Sequence, residues 1–178
     1  MADFPTCYAF VLPNEDFTPP RFEAIPDPTP TDPTAGAISG INSAAFPAQF
    51  ARIAAILPPA ARAAAVESFY ESTYWNGWIR QLQNAIAMRV MDAEVNHGAG
   101  VGVRLLQRAC NALEAAPGAM LVVDGLWGPF TVEDTNAANL VRLVQMFRVA
   151  RVSFLREAAL TDPIVAKDLP QLIARANK

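Results

Sequence analysis

The 178-residue sequence predicts an all-α protein, and three observations carry that expectation. Hydrophobic residues make up 52% of the chain, and much of that share is alanine, the strongest helix former. Apolar residues recur at helical spacing, as in Ile79, Leu82, Ile86, Val90 and Ala93. Breaks such as Pro58-Pro59, His97-Gly98 and Pro117-Gly118 separate the periodic stretches.

The elements follow in order. Phe4 to Leu12 is mostly apolar and predicts a short helix. Residues 13–33 hold seven of the fifteen prolines. Proline removes an amide donor and disfavours helix in the residue before it, so this stretch reads as an extended, semi-rigid loop. A loop of that length is either a binding element or an insertion without a role. Pro47 opens a helix through Ile56, and a second helix is expected over 60–73. An amphipathic helix over 78–95 ends at His97-Gly98. Val101 to Ala115 forms the next, with Val103, Leu106 and Cys110 on one face, and Pro117-Gly118 stops it. Ala119 to Val123 is a short apolar, extended segment leading into a tight Asp124-Gly125 turn, Trp127 and Gly128-Pro129. Thr131-x-x-Asp134 is a capping-box variant that opens a helix to about Leu160, where Thr161-Asp162-Pro163 breaks it. A last helix covers about 164–176, and no internal repeat is found.

Composition excludes several classes. A net charge of −3 and a pI near 5.1 do not suit a nucleic-acid-binding surface. No window approaches the roughly 18 uninterrupted apolar residues of a membrane span. Met-Ala-Asp-Phe-Pro has neither a basic start nor an apolar run, so no signal peptide is expected and another system would have to deliver the protein out of the cytoplasm. Cys7 and Cys110 lie far apart without metal-like spacing and read as buried free thiols. Asp92 and Asn96 share a helical face, but His97 is the sole histidine, so neither a metal site nor a histidine-assisted nucleophile is expected. Gly98-x-Gly100-x-Gly102 follows a predicted helix rather than a strand and fails as a dinucleotide loop. No cofactor is expected.

Three blocks of residues stand in a telling order. The first is Asp3-Phe4 followed by Tyr8-Ala9-Phe10-Val11-Leu12-Pro13-Asn14-Glu15. The second is Asp32-Pro33-Thr34-Ala35-Gly36-Ala37-Ile38-Ser39-Gly40-Ile41. The third runs from Tyr74-Trp75 through Asp92-Ala93-Glu94-Val95-Asn96-His97-Gly98 and Leu105-Leu106-Gln107 to Val123-Asp124-Gly125-Leu126-Trp127-Gly128. Together, over about residues 3 to 160, they resemble glycoside hydrolase family 108, N-acetylmuramidases with a peptidoglycan-binding-like C-terminal half. The resemblance implies a lysozyme-like catalytic part over 1–77 packed on a peptidoglycan-binding-like helical part over 78–178.

It also implies site residues. Glu15 falls where the family places its catalytic glutamate. The chemistry fits, because breaking a glycosidic bond needs a protonated carboxylic acid at the leaving oxygen. A glutamate after the apolar run Phe10-Val11-Leu12 is partly desolvated, which favours the protonated form. Asp32 falls on the family's Asp-Pro aspartate, as a second carboxylate or as a turn former before Pro33. Glu23 is a rival acid, although it follows Pro19-Pro20-Arg21-Phe22 rather than a helix. The family's Glu-Gly-Gly-Tyr is Glu15-Asp16-Phe17-Thr18 here, and its threonine falls on Ala37, which leaves Ser39 or Thr34 to hold a catalytic water.

Trp78, Asn96 and Trp127 are candidate glycan contacts. Aromatic rings stack on sugar faces, whereas Trp75 reads as core. The expected substrate is the β-1,4 bond between N-acetylmuramic acid and N-acetylglucosamine in peptidoglycan strands. The alternatives are a binding protein that has lost catalysis, motivated by the glycine and threonine departures, and a helical partner-binding protein with no role at the wall.

Overall fold

The computed structural model describes residues 1–16, 18–27, 32–113 and 120–178. Among them are eight α-helices and one small three-stranded sheet, so the fold is all-α with a minor β element. Phe17, residues 28–31 of the proline-rich loop, and residues 114–119, with the expected helix end at Ala115 and stop at Pro117-Gly118, lie outside the described residues. The chain divides into two units, one of residues 4–76 and one of residues 1–3 with 77–178.

In the first unit, α1 spans Phe4–Glu15, one turn longer than the apolar run predicts. Phe4, Cys7 and Val11 are buried at helical spacing. Pro13 cannot donate to the Ala9 carbonyl, and Ala9 lies on an exposed face of the helix. The proline-rich loop then yields β1 (Ala24–Pro26), which pairs antiparallel with β2 (Gly36–Ile38), with Ala24 opposite Ile38. A third strand, β3 (Ile41–Asn42), pairs with β2. Strands of two or three residues carry no legible alternation, which is why the sequence does not announce them. Pro26 is tolerated because β1 is an edge strand.

Helix α2 spans Pro47–Ala54, with proline at its start, and α3 spans Ala63–Tyr74 after a 3-10 turn at Pro59–Arg62. Arg62 is buried and donates to the carbonyls of Ala54 (2.8 Å), Ile56 (3.0 Å) and Phe22 (2.9 Å). It thereby satisfies the open end of α2 and holds the loop that follows α1. Ile38, Ile41, Ile53, Val66, Phe69 and Tyr70 complete this core.

In the second unit the expected 78–95 helix is divided. A 3-10 turn at Ile79–Gln81 is followed by extended Leu82 and Gln83, and α4 then spans Asn84–His97. Gly98, at φ 91°, ends α4, and α5 runs Ala99–Asn111, starting two residues before Val101. The single helix expected over 131–160 is two, α6 (Pro129–Ala137) and α7 (Leu140–Ala159). Ala138 and Asn139 are extended between them, and the Asn139 side chain caps α7 by accepting from the Arg142 amide at 3.2 Å.

The Thr131-x-x-Asp134 capping box is not formed. Gly128 is the cap residue, Pro129 presets the first helical φ, and Thr131 is buried inside the first turn. The last helix, α8, spans Pro163–Ala176 and is capped by Asp162, whose Oδ1 accepts from the Ile164 amide at 2.8 Å. Ile86, Val90, Met91, Leu106, Leu143 and Phe147 form the centre of this unit's core. Cys7 and Cys110 are both buried and are not joined in a disulfide. Among the described residues no helix is long and apolar enough to cross a membrane.

Candidate functional site

Glu15 is the last residue of α1 and is half-buried. Its carboxylate packs against the loop that joins β2 to β3. Ser39 and Gly40 form that loop, at φ 47° and 76°. Two successive positive φ values define the tight hairpin turn whose twist matches the flanking strands. A Cβ on Gly40 would overlap Glu15 Oε2 and stand 3.1 Å from Glu15 Cβ and 2.9 Å from Tyr70 Oη. Only glycine fits there, in space and in backbone conformation.

The tip is tied on both sides. Ser39 is buried and donates its hydroxyl to Asp16 Oδ2 at 2.5 Å. Asp16 also accepts from the backbone amides of Arg21 (3.2 Å) and Phe22 (3.0 Å). The residue standing where the family has its first glycine therefore organises the loop after Glu15. On the other side, the buried Tyr70 hydroxyl donates to the Ser39 carbonyl at 2.7 Å. Tyr70 packs against Tyr8 and Tyr74, and Tyr8 stacks on Phe4. Burial, then the Glu67 and Asp16 carboxylates, hold the Tyr8 phenol in its protonated form.

Asp32 is engaged in its own turn. Its Oδ1 accepts from the Thr34 amide at 2.9 Å and the Thr34 hydroxyl at 2.7 Å. The Thr34 hydroxyl, then the Thr34 amide, keep its carboxyl below the usual carboxylate range. Glu23 is exposed and immediately precedes β1. Ala37 is buried within β2. Trp75 is half-buried and tilts on Phe4 with ring centroids 5.9 Å apart.

The second unit holds the Asp124-Gly125 turn. Gly125, at φ 78°, sits where a Cβ would meet the Gly100 carbonyl oxygen at 2.5 Å and Arg104 Nη1 at 2.7 Å. Gln107 of α5 reads the turn from beneath. Its Oε1 accepts from the Gly125 amide at 3.0 Å, and its Nε2 donates to Asp124 Oδ1 (2.9 Å) and the Leu126 carbonyl (3.2 Å). The Leu126 amide, then Gln107, hold the Asp124 carboxyl low. A groove of about 630 Å³ opens beside the turn, lined by Gln107, Val122, Leu126, Trp127, Phe130 and Asp134 among others. Leu126 and Phe130 are exposed.

Trp127 is half-buried and donates its indole N–H to Glu94 Oε1 at 3.2 Å. Glu94 is itself buried, and burial pushes its carboxyl up to about 8 against the Trp127 hydrogen bond. Gly102 makes the room, because a Cβ there would stand 2.5 Å from Glu94 Cγ.

Asn96 ends up beside a charged network. Asp92 is fully buried and accepts from Arg151 Nη1 at 2.6 Å and Arg175 Nη2 at 2.8 Å. Burial raises the Asp92 carboxyl, but Arg175 and Arg151 outweigh it and hold the group below its ordinary range. Arg151 also donates to His97 Nε2 and Asn96 Oδ1, both at 3.4 Å. Burial first, then Arg151 and Arg175, lower His97 to about 4. Trp78 is half-buried just before the 3-10 turn at Ile79–Gln81. Among the described residues no group of three or more His, Cys, Asp or Glu side chains is placed to hold a metal.

The structure thus gathers Glu15, Ser39, Asp16, Gly40 and Tyr70 in the first unit, and Trp127, Glu94 and Gln107 in the second. The sequence reading missed Asp16, Tyr70, Gln107 and Glu94. Gln107 had a signal, since it lies within the Leu-Leu-Gln motif, whereas Tyr70 had none beyond its place in an aromatic cluster.

A helical fold with a small sheet whose hairpin tip packs on a helix-terminal glutamate fits the lysozyme-like fold expected from the sequence. Residues 23–98 match the Glycosyl hydrolase 108 family model, so the resemblance read in the sequence is borne out over that stretch, which carries a glycosidase family's pattern. The matched stretch includes Asp32, Ser39, Trp78 and Asn96 and begins beyond Glu15. A solved structure, described as that of Brucella abortus SagA, aligns with a TM-score of 0.66 over 98% of this chain and 91% of that one. The two sequences are 18% identical, so the likeness is one of fold. No curated protein matches the sequence.

Proposed function

We propose that the protein is a peptidoglycan hydrolase, an N-acetylmuramidase that cleaves the β-1,4 bond between N-acetylmuramic acid and N-acetylglucosamine, with Glu15 as the general acid. The observation that carries this reading is the seat of Glu15, a half-buried carboxyl at the end of α1 held against the Ser39–Gly40 tip, on a chain with a glycosyl hydrolase 108 stretch. In the reaction Glu15 gives its proton to the glycosidic oxygen as the bond to the anomeric carbon breaks and positive charge builds on the sugar. Asp32 is the proposed second carboxylate, and Ser39 and Trp78 are proposed substrate contacts. The groove beside Trp127 is the proposed wall contact of the second unit, with Asn96 as a further ligand contact. The proposed place of action is the bacterial cell wall, reached through another system's delivery.

The test compares wild type, Glu15→Gln and Glu23→Gln on purified peptidoglycan. Release of reducing ends by wild type and Glu23→Gln, but not by Glu15→Gln, supports the assignment. Loss in Glu23→Gln alone moves the acid to Glu23. A second reading, a wall-binding protein without catalysis, draws on Asp16 and Ala37 in place of the family's glycine and threonine. Sedimentation with insoluble peptidoglycan but no reducing ends from any variant is its signature.

A further inference from the structure

We propose that Tyr70 is a positioning residue for the Glu15 chemistry, acting through the Ser39–Gly40 hairpin tip. The inference rests on the reading of Glu15 as the acid and extends it to what aims that acid.

Three observations converge. The tip has a demanding backbone, because Ser39 is a non-glycine residue at φ 47° and Gly40 follows at φ 76°. A non-glycine residue at positive φ persists only where its surroundings over-determine it. Here they do: Tyr70 holds the Ser39 carbonyl at 2.7 Å while Asp16 holds the Ser39 hydroxyl at 2.5 Å. The tip is also in contact with the reacting group. The point where a Gly40 Cβ would sit is overlapped by Glu15 Oε2 and lies 2.9 Å from Tyr70 Oη. The Glu15 carboxylate, the Gly40 backbone and the Tyr70 hydroxyl therefore fill one small space. Finally, Tyr70 is a rigid support. It is 1% exposed and braced by the rings of Tyr8, Phe69 and Tyr74, so its hydroxyl cannot follow the tip if the tip moves.

A general acid works only when its proton meets the leaving oxygen within hydrogen-bond reach. A misplacement of about 1 Å can cost on the order of a hundredfold in rate. Tyr70→Phe keeps the ring packing and removes only the hydroxyl, so the Ser39 carbonyl loses this donor and the tip is freed on one side. Gly40→Ala acts from the tip itself: its Cβ would overlap Glu15 Oε2 and crowd the Tyr70 hydroxyl, so it displaces the carboxylate while the tyrosine keeps its hydroxyl.

The experiment measures kcat and KM on peptidoglycan fragments, and the 13C resonance of the Glu15 carboxyl, in wild type, Tyr70→Phe and Gly40→Ala. Thermal melting verifies that each variant is folded. The expected result is a fall in kcat of at least about tenfold with KM within about twofold, and a displaced Glu15 carboxyl resonance, in both variants. A folded Tyr70→Phe protein with wild-type kcat and an unmoved Glu15 resonance overturns the proposal, as does a rise in KM at constant kcat. If the wild-type protein releases no reducing ends, the hydrolase reading fails, and the resonance alone decides the positioning. A shift in both variants sustains it, and an unmoved resonance in either overturns it.

Discussion

The indole N–H of Trp127 is hydrogen-bonded to the buried carboxyl of Glu94, 3.2 Å away, so the turn that borders the second unit's groove rests on an acid. Burial lifts that acid to about 8 in the folded chain, against an ordinary value of 4.5. The folded state therefore binds the proton more tightly than the unfolded state. The associated stability is complete below about pH 4.5 and declines as pH rises toward 8. Glu94→Gln is expected to flatten this decline. Its melting temperature should exceed that of wild type at pH 8.5 by more than it does at pH 5. An equal difference at both values would show that Glu94 ionises as freely in the folded chain as in the unfolded one.

His97 gives the opposite slope. Its folded value, about 4, lies below the ordinary 6.5, so stability is complete above about pH 6.5 and is lost as pH falls toward 4. Replacing it with glutamine should reduce the loss in melting temperature between pH 7 and pH 4.5. Because Glu94 acts in the other direction over part of this range, each effect is read from its own single variant.

Asp92 carries the largest stability prediction. Asp92→Asn removes the charge that compensates Arg151, which is 2% exposed, and the mostly buried Arg175. Breaking one side of a buried ion pair costs about 3–5 kcal/mol. Urea unfolding at pH 7 should show a loss of that order, and a loss below about 1 kcal/mol would mean that water already reaches the guanidinium groups.

Phe130 separates binding from folding. It is 72% exposed on the groove beside Trp127, so Phe130→Ser should change stability by no more than about 0.5 kcal/mol. The variant should be depleted from the pellet when sedimented with insoluble peptidoglycan. Sedimentation equal to wild type would remove this groove from the proposed wall contact.

The parts of the fold that were legible are those whose signal is local. Ile86, Val90 and Ala93 repeat at helical spacing, and α4 lies where they place it. Gly98 adopts the positive φ that its position after His97 suggests. The α6–α7 break was hidden because neither glycine nor proline marks Ala138-Asn139, and the cap is made by a side chain reaching forward to Arg142. Thr131 misled because Pro129, two residues earlier, already sets the helical backbone. At the candidate site, Glu15 could be found from the apolar run before it and the resemblance around it. Tyr70 could not, since its partner Ser39 is 31 positions away and meets it only once the hairpin has formed.

Arg62 gives the neighbourhood of Glu15 a particular mechanical character. One guanidinium joins Phe22, from the loop after α1, to Ala54 and Ile56 at the end of α2. Peeling the loop away on its own would strand a buried cation with part of its donors unmet, so loop and helix end are expected to open as one cooperative segment. In hydrogen exchange the amides on both sides of Arg62 should share a single opening free energy. If Glu15 is the acid as proposed, a glycan reaching it meets a border that yields all at once or not at all.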